Sequence, residues 1–243
     1  MSVFPDIAQR RLQPELMDDP GLDPREHSRA LADLRRLNIA SRTASILWKS
    51  IQETARPLDG RPLRLLDIAT GSGDIPLSIH KLAAQSGVPL AIDACDISPR
   101  AVAIASTRAS AMKSDIHFFV LDALQDVIAD TYDIITCSLF THHLTPQQVT
   151  LLLSKMRSAS RRLVLVSDLR RSLYGYALAF AATRTLSRSR VVHIDSLLSV
   201  RAAFTIREFR SLADAAGLQD AQIAPCVPCR FLLKWRKGGA DAD

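Results

Sequence analysis

Leu65-Leu66-Asp67-Ile68-Ala69-Thr70-Gly71-Ser72-Gly73-Asp74-Ile75-Pro76 is an apolar run that ends in an acid, turns tightly through glycines and enters an amphipathic helical pattern. That order places a nucleotide-like ligand at the carboxyl end of a strand, where backbone N–H groups and a helix N-terminus converge. A dinucleotide fingerprint reads Gly-x-Gly-x-x-Gly, its last glycine letting helix and strand pack closely on a pyrophosphate. Gly71 and Gly73 fit it, but Pro76 stands where the third glycine belongs. Asp67 would also face a phosphate unfavourably. A carboxylate there suits the cationic methionine end of S-adenosylmethionine better.

Around this turn the chain alternates strand and helix patterns, which predicts a doubly wound, mostly parallel α/β sheet of Rossmann-like type. Strands are expected at Leu63–Ile68, Leu90–Asp96, Ile116–Leu121, Tyr132–Ser138 and Arg162–Ser167. Helices are expected from Ile75 to Gln85, from Ser98 to about Met112 with Pro99 in the first turn, and from Pro146 to Ser158. Thr205-Ile206-Arg207-Glu208 reads as a capping box opening a helix that ends at Gly217. Gln219–Pro225 and Arg230–Trp235 read as a terminal hairpin. Residues 1–20 are polar and punctuated by proline, so they are expected to be mobile or wrapped on the surface. From Asp23 to about Ala55, Leu31, Leu34, Leu37, Ile39, Ile46, Leu47 and Ile51 form a helical stripe, broken at Arg56–Gly60. The helical stretch 173–203 interrupts the alternation after the fifth strand, and such an excursion lies over the carboxyl edge where ligands bind. The organisation read is an N-terminal helical cap segment over residues 1–60 and a sheet domain over 61–243, with a cap insertion at about 170–203.

Asp67, Asp96 and Asp122 follow three successive strands. A carboxylate at Asp96 can accept two hydroxyl hydrogen bonds from a ribose diol, and Ile97 can pack on an adenine face. Asp122 can accept from the adenine amino group, with Ala123 leaving room. The loop Cys137-Ser138-Leu139-Phe140-Thr141-His142-His143-Leu144 follows the fourth strand, and Ser138 is read with the cofactor residues.

The Asp-x-Ala-Thr-Gly-Ser-Gly-Asp turn resembles motif I of class I S-adenosylmethionine-dependent methyltransferases. Its form is most similar to the ubiquinone/menaquinone-biosynthesis branch, with which Ala69 agrees. The resemblance covers roughly Leu63 to Leu233. It implies a seven-stranded sheet with an antiparallel last strand, a cofactor cradle at Asp67, Ala69, Thr70, Gly71 and Gly73, and conversion of S-adenosylmethionine to S-adenosylhomocysteine. It also implies that the N-terminal helices and the 170–203 region form the lid and substrate pocket, and that the loop after the fourth strand passes beside the reacting centre. His142 or His143 then positions or deprotonates a phenol, or packs a helix start. His193 and Asp195 are a second candidate pair, sharing a face if extended and diverging on a helix. Tyr174, Tyr176 and Phe180 line the acceptor site or form a packing stripe.

The expected activity is methyl transfer to a small apolar, aromatic or lipid-like acceptor, by O-methylation of a phenol, resorcinol or quinol. C-methylation of a quinone-type ring, an RNA methyltransferase, a nicotinamide oxidoreductase and a non-catalytic cofactor-binding partner protein remain open. The chain carries 31 Lys and Arg against 25 Asp and Glu in 243 residues, a net charge of +6. The arginines are scattered rather than interleaved with aromatics, which argues against nucleic acid. No apolar run reaches the ~20 residues of a membrane span. Met1–Asp6 lacks the regions of a signal peptide, so a cytoplasmic address is expected. Cys226-Val227-Pro228-Cys229 reads as a turn with incidental thiols, and adjacent histidines with no nearby carboxylate cluster are poor ligand spacing, which argues against a metal.

Overall fold

A computed structural model describes residues 7–19, 21–23, 25–26, 29–30, 32–33, 36, 42–54, 61–129 and 131–238. The expected stripe residues Leu31, Leu34, Leu37 and Ile39 and the Arg56–Gly60 break lie outside these. The remainder of that stripe forms α1 (Thr43–Thr54), which buries Leu47, Trp48 and Ile51.

From there the order is β1 (Leu63–Ile68), α2 (Asp74–Gln85), β2 (Leu90–Asp96), α3 (Pro99–Ala111), β3 (His117–Val120), β4 (Tyr132–Ser138), α4 (Pro146–Ala159) and β5 (Ser160–Leu169). Two cap helices follow, α5 (Leu173–Leu186) and α6 (Arg190–Ala202), then α7 (Ile206–Ala215), β6 (Gln222–Cys226) and β7 (Arg230–Arg236). The sheet has seven strands in the order β3-β2-β1-β4-β5-β7-β6, with β7 antiparallel to both of its neighbours. Crossovers run outward in one direction from β1 and in the other from β4. The strands at this switch point leave a crevice at their carboxyl ends, where an open α/β sheet binds ligands.

β1 is mostly apolar, with only Arg64 and Asp67 interrupting it, because both of its faces are covered. Leu65 joins a core with Leu47, Ile51 and Ile79. Leu66 points the other way, into a core with Leu152, Phe209 and Phe231. This is the alternation of side chains along a strand. Helix starts follow the sequence. Ser98 accepts from Ala101 N at 3.3 Å, with Pro99 next to it. Capping boxes open α4 at Thr145 and Gln148 and α7 at Thr205 and Glu208.

β5 is longer than its apolar run predicts. Pairing with β4 on one side and β7 on the other extends its ladder through Asp168. β3, at the sheet edge, is shorter than predicted.

The segment 7–19 is stitched down over the cap. Buried Asp195 accepts from Leu16 N and Met17 N at 2.8 and 3.0 Å. Arg171 donates to the carbonyls of Ile7, Ala8 and Ala203 and grips Glu208 at 2.6 and 3.0 Å. Arg10 lies over the Phe204 ring and donates to the His142 and Leu144 carbonyls at 2.9 and 2.7 Å. Among the described residues no helix is long and apolar enough to cross a membrane.

Candidate functional site

The β1–α2 turn is built from left-handed backbone. Ala69, Gly71 and Gly73 have φ of 55, 54 and 76°. A Cβ on Gly71 would meet nothing within 4 Å, so the turn faces open space. Asp67 is buried behind it and accepts from the Thr136 hydroxyl at 2.6 Å. Burial raises its carboxyl to about 6, against the opposing pull of Thr136. The Thr70 hydroxyl leans toward the same carboxylate without closing a hydrogen bond.

Asp74 occupies the first turn of α2, paired with Arg108 at 2.6 Å. Acids thus flank the turn on both sides. Arg108 neutralises Asp74, so it is the Asp67 carboxylate behind the turn that disfavours a pyrophosphate and favours a cation.

The other strand ends converge on this crevice. Asp96 holds the turn in place: Oδ2 accepts from Gly71 N at 2.8 Å and Oδ1 from Ser98 N at 3.0 Å. Each carboxylate oxygen has a second lone pair, so a diol can still be accepted. Asp122 spends Oδ1 on Leu124 N and Gln125 N, at 2.8 and 3.3 Å. Ala123 beside it is buried, whereas Ile97 is 62 % exposed, an apolar face set at the crevice. Ser138 Oγ is buried and, among the described residues, makes no hydrogen bond. The acids, the open glycine turn and this hydroxyl fit an adenosyl sulfonium bearing an amine.

Beyond the end of β4 lies a cavity of about 310 Å³ between the sheet edge and the cap. Leu139, Leu169, Leu178, Ala182 and Val200 give it an apolar wall, and Glu15, His142, His143 and Arg230, with the hydroxyls of Thr183, Ser196 and Ser199, are among its polar groups. Its size and lining are those of a small-molecule pocket. Leu139 reaches the wall through a left-handed φ of 55°, held by its N–H on Ser167 O at 2.9 Å. Strain of this kind concentrates at functional sites.

His142 sits in the short helical turn Thr141–His143 and is buried. Its Nδ1 lies 2.6 Å from Asp168 Oδ1. Asp168 also accepts from Thr141 Oγ1 at 2.5 Å, His142 N at 3.0 Å and Leu169 N at 2.6 Å. Burial works against charge on the imidazole, and the carboxylate overrides it, so the pKa of His142 is raised. Burial likewise opposes charge on Asp168, but the imidazole holds that carboxyl at about 2. With Nδ1–H given to the carboxylate, Nε2 carries the lone pair. His143 is different: burial and the adjacent His142 pull it down to about 4, so it is neutral near pH 7.

Asp168 went unread in the sequence, although it follows an apolar strand as Asp67, Asp96 and Asp122 do. That repeated pattern was the available signal. Three expectations are corrected. His193 and Asp195 make no pair: they lie on helix α6, where residues two apart diverge. His193 Nε2 is 3.1 and 3.0 Å from the Thr183 and Ser187 carbonyls, while Asp195 holds residues 16 and 17. Tyr174 and Phe180 face outward, 68 and 45 % exposed, the latter under Arg184. The small residues Gly175, Ala179 and Ala182 of α5 form the wall instead.

The histidines also do have carboxylates nearby. Ligand atoms of Glu15, His142 and His143 lie within 4.8 Å of one another. Zinc ligands bonded at ~2.0–2.1 Å stand about 3.3 Å apart. His143 Nδ1 and Glu15 Oε1 are 3.9 Å apart, and Glu15 already accepts from the Ser199 hydroxyl. The three form a polar wall wider than a closed coordination set. Cys226 and Cys229 flank the hairpin turn as free thiols whose pKa values burial raises.

Residues 65–162 match the family model of a methyltransferase domain. Among solved structures, the chain is similar to the plantazolicin methyltransferase BpumL in complex with S-adenosylhomocysteine, at 15% identity and TM-score 0.65 over 88% of this chain and 90% of that one. It is similar to magnesium protoporphyrin IX methyltransferase from Synechocystis PCC 6803 with bound S-adenosylmethionine, at 13% identity and TM-score 0.55 over 91 and 88%. An O-methyltransferase family 2 protein from Planctomyces limnophilus in complex with apigenin matches at 19% identity and TM-score 0.60, over 90% of this chain and 63% of that one. No curated protein matches the sequence. At these identities the likeness is one of fold.

Proposed function

We propose that the chain is a class I S-adenosylmethionine-dependent methyltransferase that acts on a small, largely apolar acceptor through an ionisable hydroxyl, in the manner of a phenol or quinol. The observation that carries the reading is the His142–Asp168 pair lining an apolar cavity next to the strand ends that cradle the cofactor. The motif around Gly71 supports a place in the quinone-pathway branch, and the apolar cavity supports an aromatic or lipid-like acceptor. Bound S-adenosylmethionine supplies an electrophilic methyl carbon on a sulfonium.

The chain's own residues do the rest. Asp67 would serve the amine end, Asp96 the ribose, and Asp122 with Ala123 and Ile97 the adenine; Thr70 and Ser138 would offer hydroxyls. Leu139 and the cap helices exclude water, and such positioning is worth ~7–11 kcal/mol in a two-reactant step. His142 Nε2 takes the acceptor's hydroxyl proton, and Asp168 stabilises the imidazolium that results. Incubating the protein with methyl-labelled cofactor and a panel of apolar phenols tests this. Label on a phenolic oxygen is expected; label on ring carbon favours C-methylation, and no transfer to any member refutes the reading.

Two further results are expected. Asp96→Ala will weaken cofactor binding about 10–100-fold in calorimetry, since it removes charge-assisted hydrogen bonds worth ~1.5–3 kcal/mol and releases Gly71 N. Unchanged affinity would remove the role. Cofactor affinity is also expected to depend on pH through Asp67. Above about 6 its carboxylate is charged and attracts the amine; below it the neutral acid does not. Affinity therefore falls about tenfold per unit as pH drops below that value. Asp67→Asn should bind weakly at all pH values with the slope gone, and a slope that persists would assign the titration elsewhere.

A further inference from the structure

Arg230 opens β7 opposite Leu169 and forms part of the cavity wall. It is 6 % exposed. Its Nη1 donates to the Thr43 hydroxyl of α1, and among the described residues it makes no ion pair. Asp168, the acid that acts on it electrostatically, has its oxygens engaged by Thr141, His142 and Leu169. Burial lowers the guanidinium to about 10, which leaves it charged near neutrality. A guanidinium offers five N–H donors in a fork that matches a carboxylate. The other arginines of the site have partners: Arg171 is paired with Glu208, and Arg10 with backbone carbonyls. Arg230 is thus a buried cation in the cavity wall that feels Asp168 at a distance and, among the described residues, is closed into no direct ion pair.

Resting on the reading of this cavity as the acceptor site, we propose that the acceptor is an amphipathic acid whose anionic oxygen group, a carboxylate, pairs with Arg230. Its hydroxyl then lies toward His142, and its apolar body lies along Leu139, Leu169, Leu178 and Val200. The guanidinium fixes which hydroxyl reaches the imidazole, so Arg230 is a positioning and specificity residue. An apolar molecule bearing both an acid and a hydroxyl, such as an alkylated hydroxybenzoate, meets both groups at once. The second source of an anionic oxygen is the carboxylate of the cofactor's amino-acid end, and the test separates the two.

Calorimetry with para-octylbenzoate and para-octylbenzamide, which differ in charge and hardly in shape, reads the pairing without any turnover. The benzoate is expected to bind wild-type protein about 10–100-fold tighter than the amide, the worth of charge-assisted hydrogen bonds. Arg230→Met should erase the preference, Arg230→Lys should retain part of it, and cofactor affinity should stay at the wild-type value in both. Equal binding of the two probes to wild-type protein overturns the proposal without needing a folded variant. A preference that survives in Arg230→Met also overturns it. A loss of cofactor affinity in Arg230→Met would give the anion to the cofactor and overturn it too. Because none of these readouts requires methyl transfer, failure of the phenol panel and failure of the anion subsite remain distinguishable.

Discussion

His142→Ala is expected to lower kcat by about 10²–10⁴-fold, the usual worth of a general base, while cofactor affinity stays near wild type. The affinity should hold because the residues at β1, β2 and β3 that cradle the cofactor lie outside the His142 network. Asp168→Asn is the companion variant. It preserves the shape of the site but removes the charge that raises the His142 pKa. The sign follows: the imidazole is competent as a base only when neutral, so activity rises with pH through its raised pKa. Without the carboxylate the imidazolium loses its stabilisation, that pKa falls and the acid limb of the profile moves to lower pH. The rate also falls, because nothing then favours the tautomer that leaves Nε2 free to accept. A pH–rate profile of single turnovers with a phenolic acceptor reads both effects. Both variants should melt as folded proteins, since Arg10 still binds the carbonyls of 142 and 144. Wild-type rates in His142→Ala would take this side chain out of the chemistry.

Gly73→Ala is expected to cost roughly 2–5 kcal/mol of stability, from ~1–2 kcal/mol for a left-handed Cβ and ~1–3 kcal/mol for overpacking. Gly73 has φ +76°, and a Cβ there would come within 3.0 Å of the Phe118 ring and 3.1 Å of Ala105 Cβ. Both are packed side chains of the core beneath the turn. For a domain of this size the loss corresponds to a fall in Tm of roughly 4–20 °C. Gly71→Ala provides the contrast. Its φ is +54°, yet nothing lies within 4 Å of the added carbon. It should pay only the backbone cost, so its melting shift is smaller, while its methyl group enters the space facing the cofactor and weakens binding. Thermal melts and cofactor titrations of the two variants should therefore rank in opposite orders. Equal melting temperatures for Gly73→Ala and wild type would contradict the close packing of turn against Phe118.

The sequence alone was enough for the sheet, the turn and the helix starts, because each depends on neighbours a few residues away. A strand covered on both faces is mostly apolar, as β1 is apart from Arg64 and Asp67, and Gly71 and Gly73 suit a turn in left-handed backbone. Capping boxes at Thr145 and Thr205 are likewise local. The acids at the ends of β1, β2 and β3 were legible because they stop apolar runs. What the tertiary structure decided is the company those side chains keep. The parallel register of β4 on β5, with Ser138 beside Ser167, brings the loop after one strand onto the acid ending the other. That made His142, rather than His143 or His193, the imidazole oriented by a carboxylate. The folding of residues 190–202 as a helix turned His193 from Asp195. The return of 7–19 over the cap brought Glu15 to the cavity, and the antiparallel entry of β7 set Arg230 into its wall. Periodicity reports which face of an element is buried; which residues meet across that face depends on register and crossover, and these are settled only when the whole sheet is assembled.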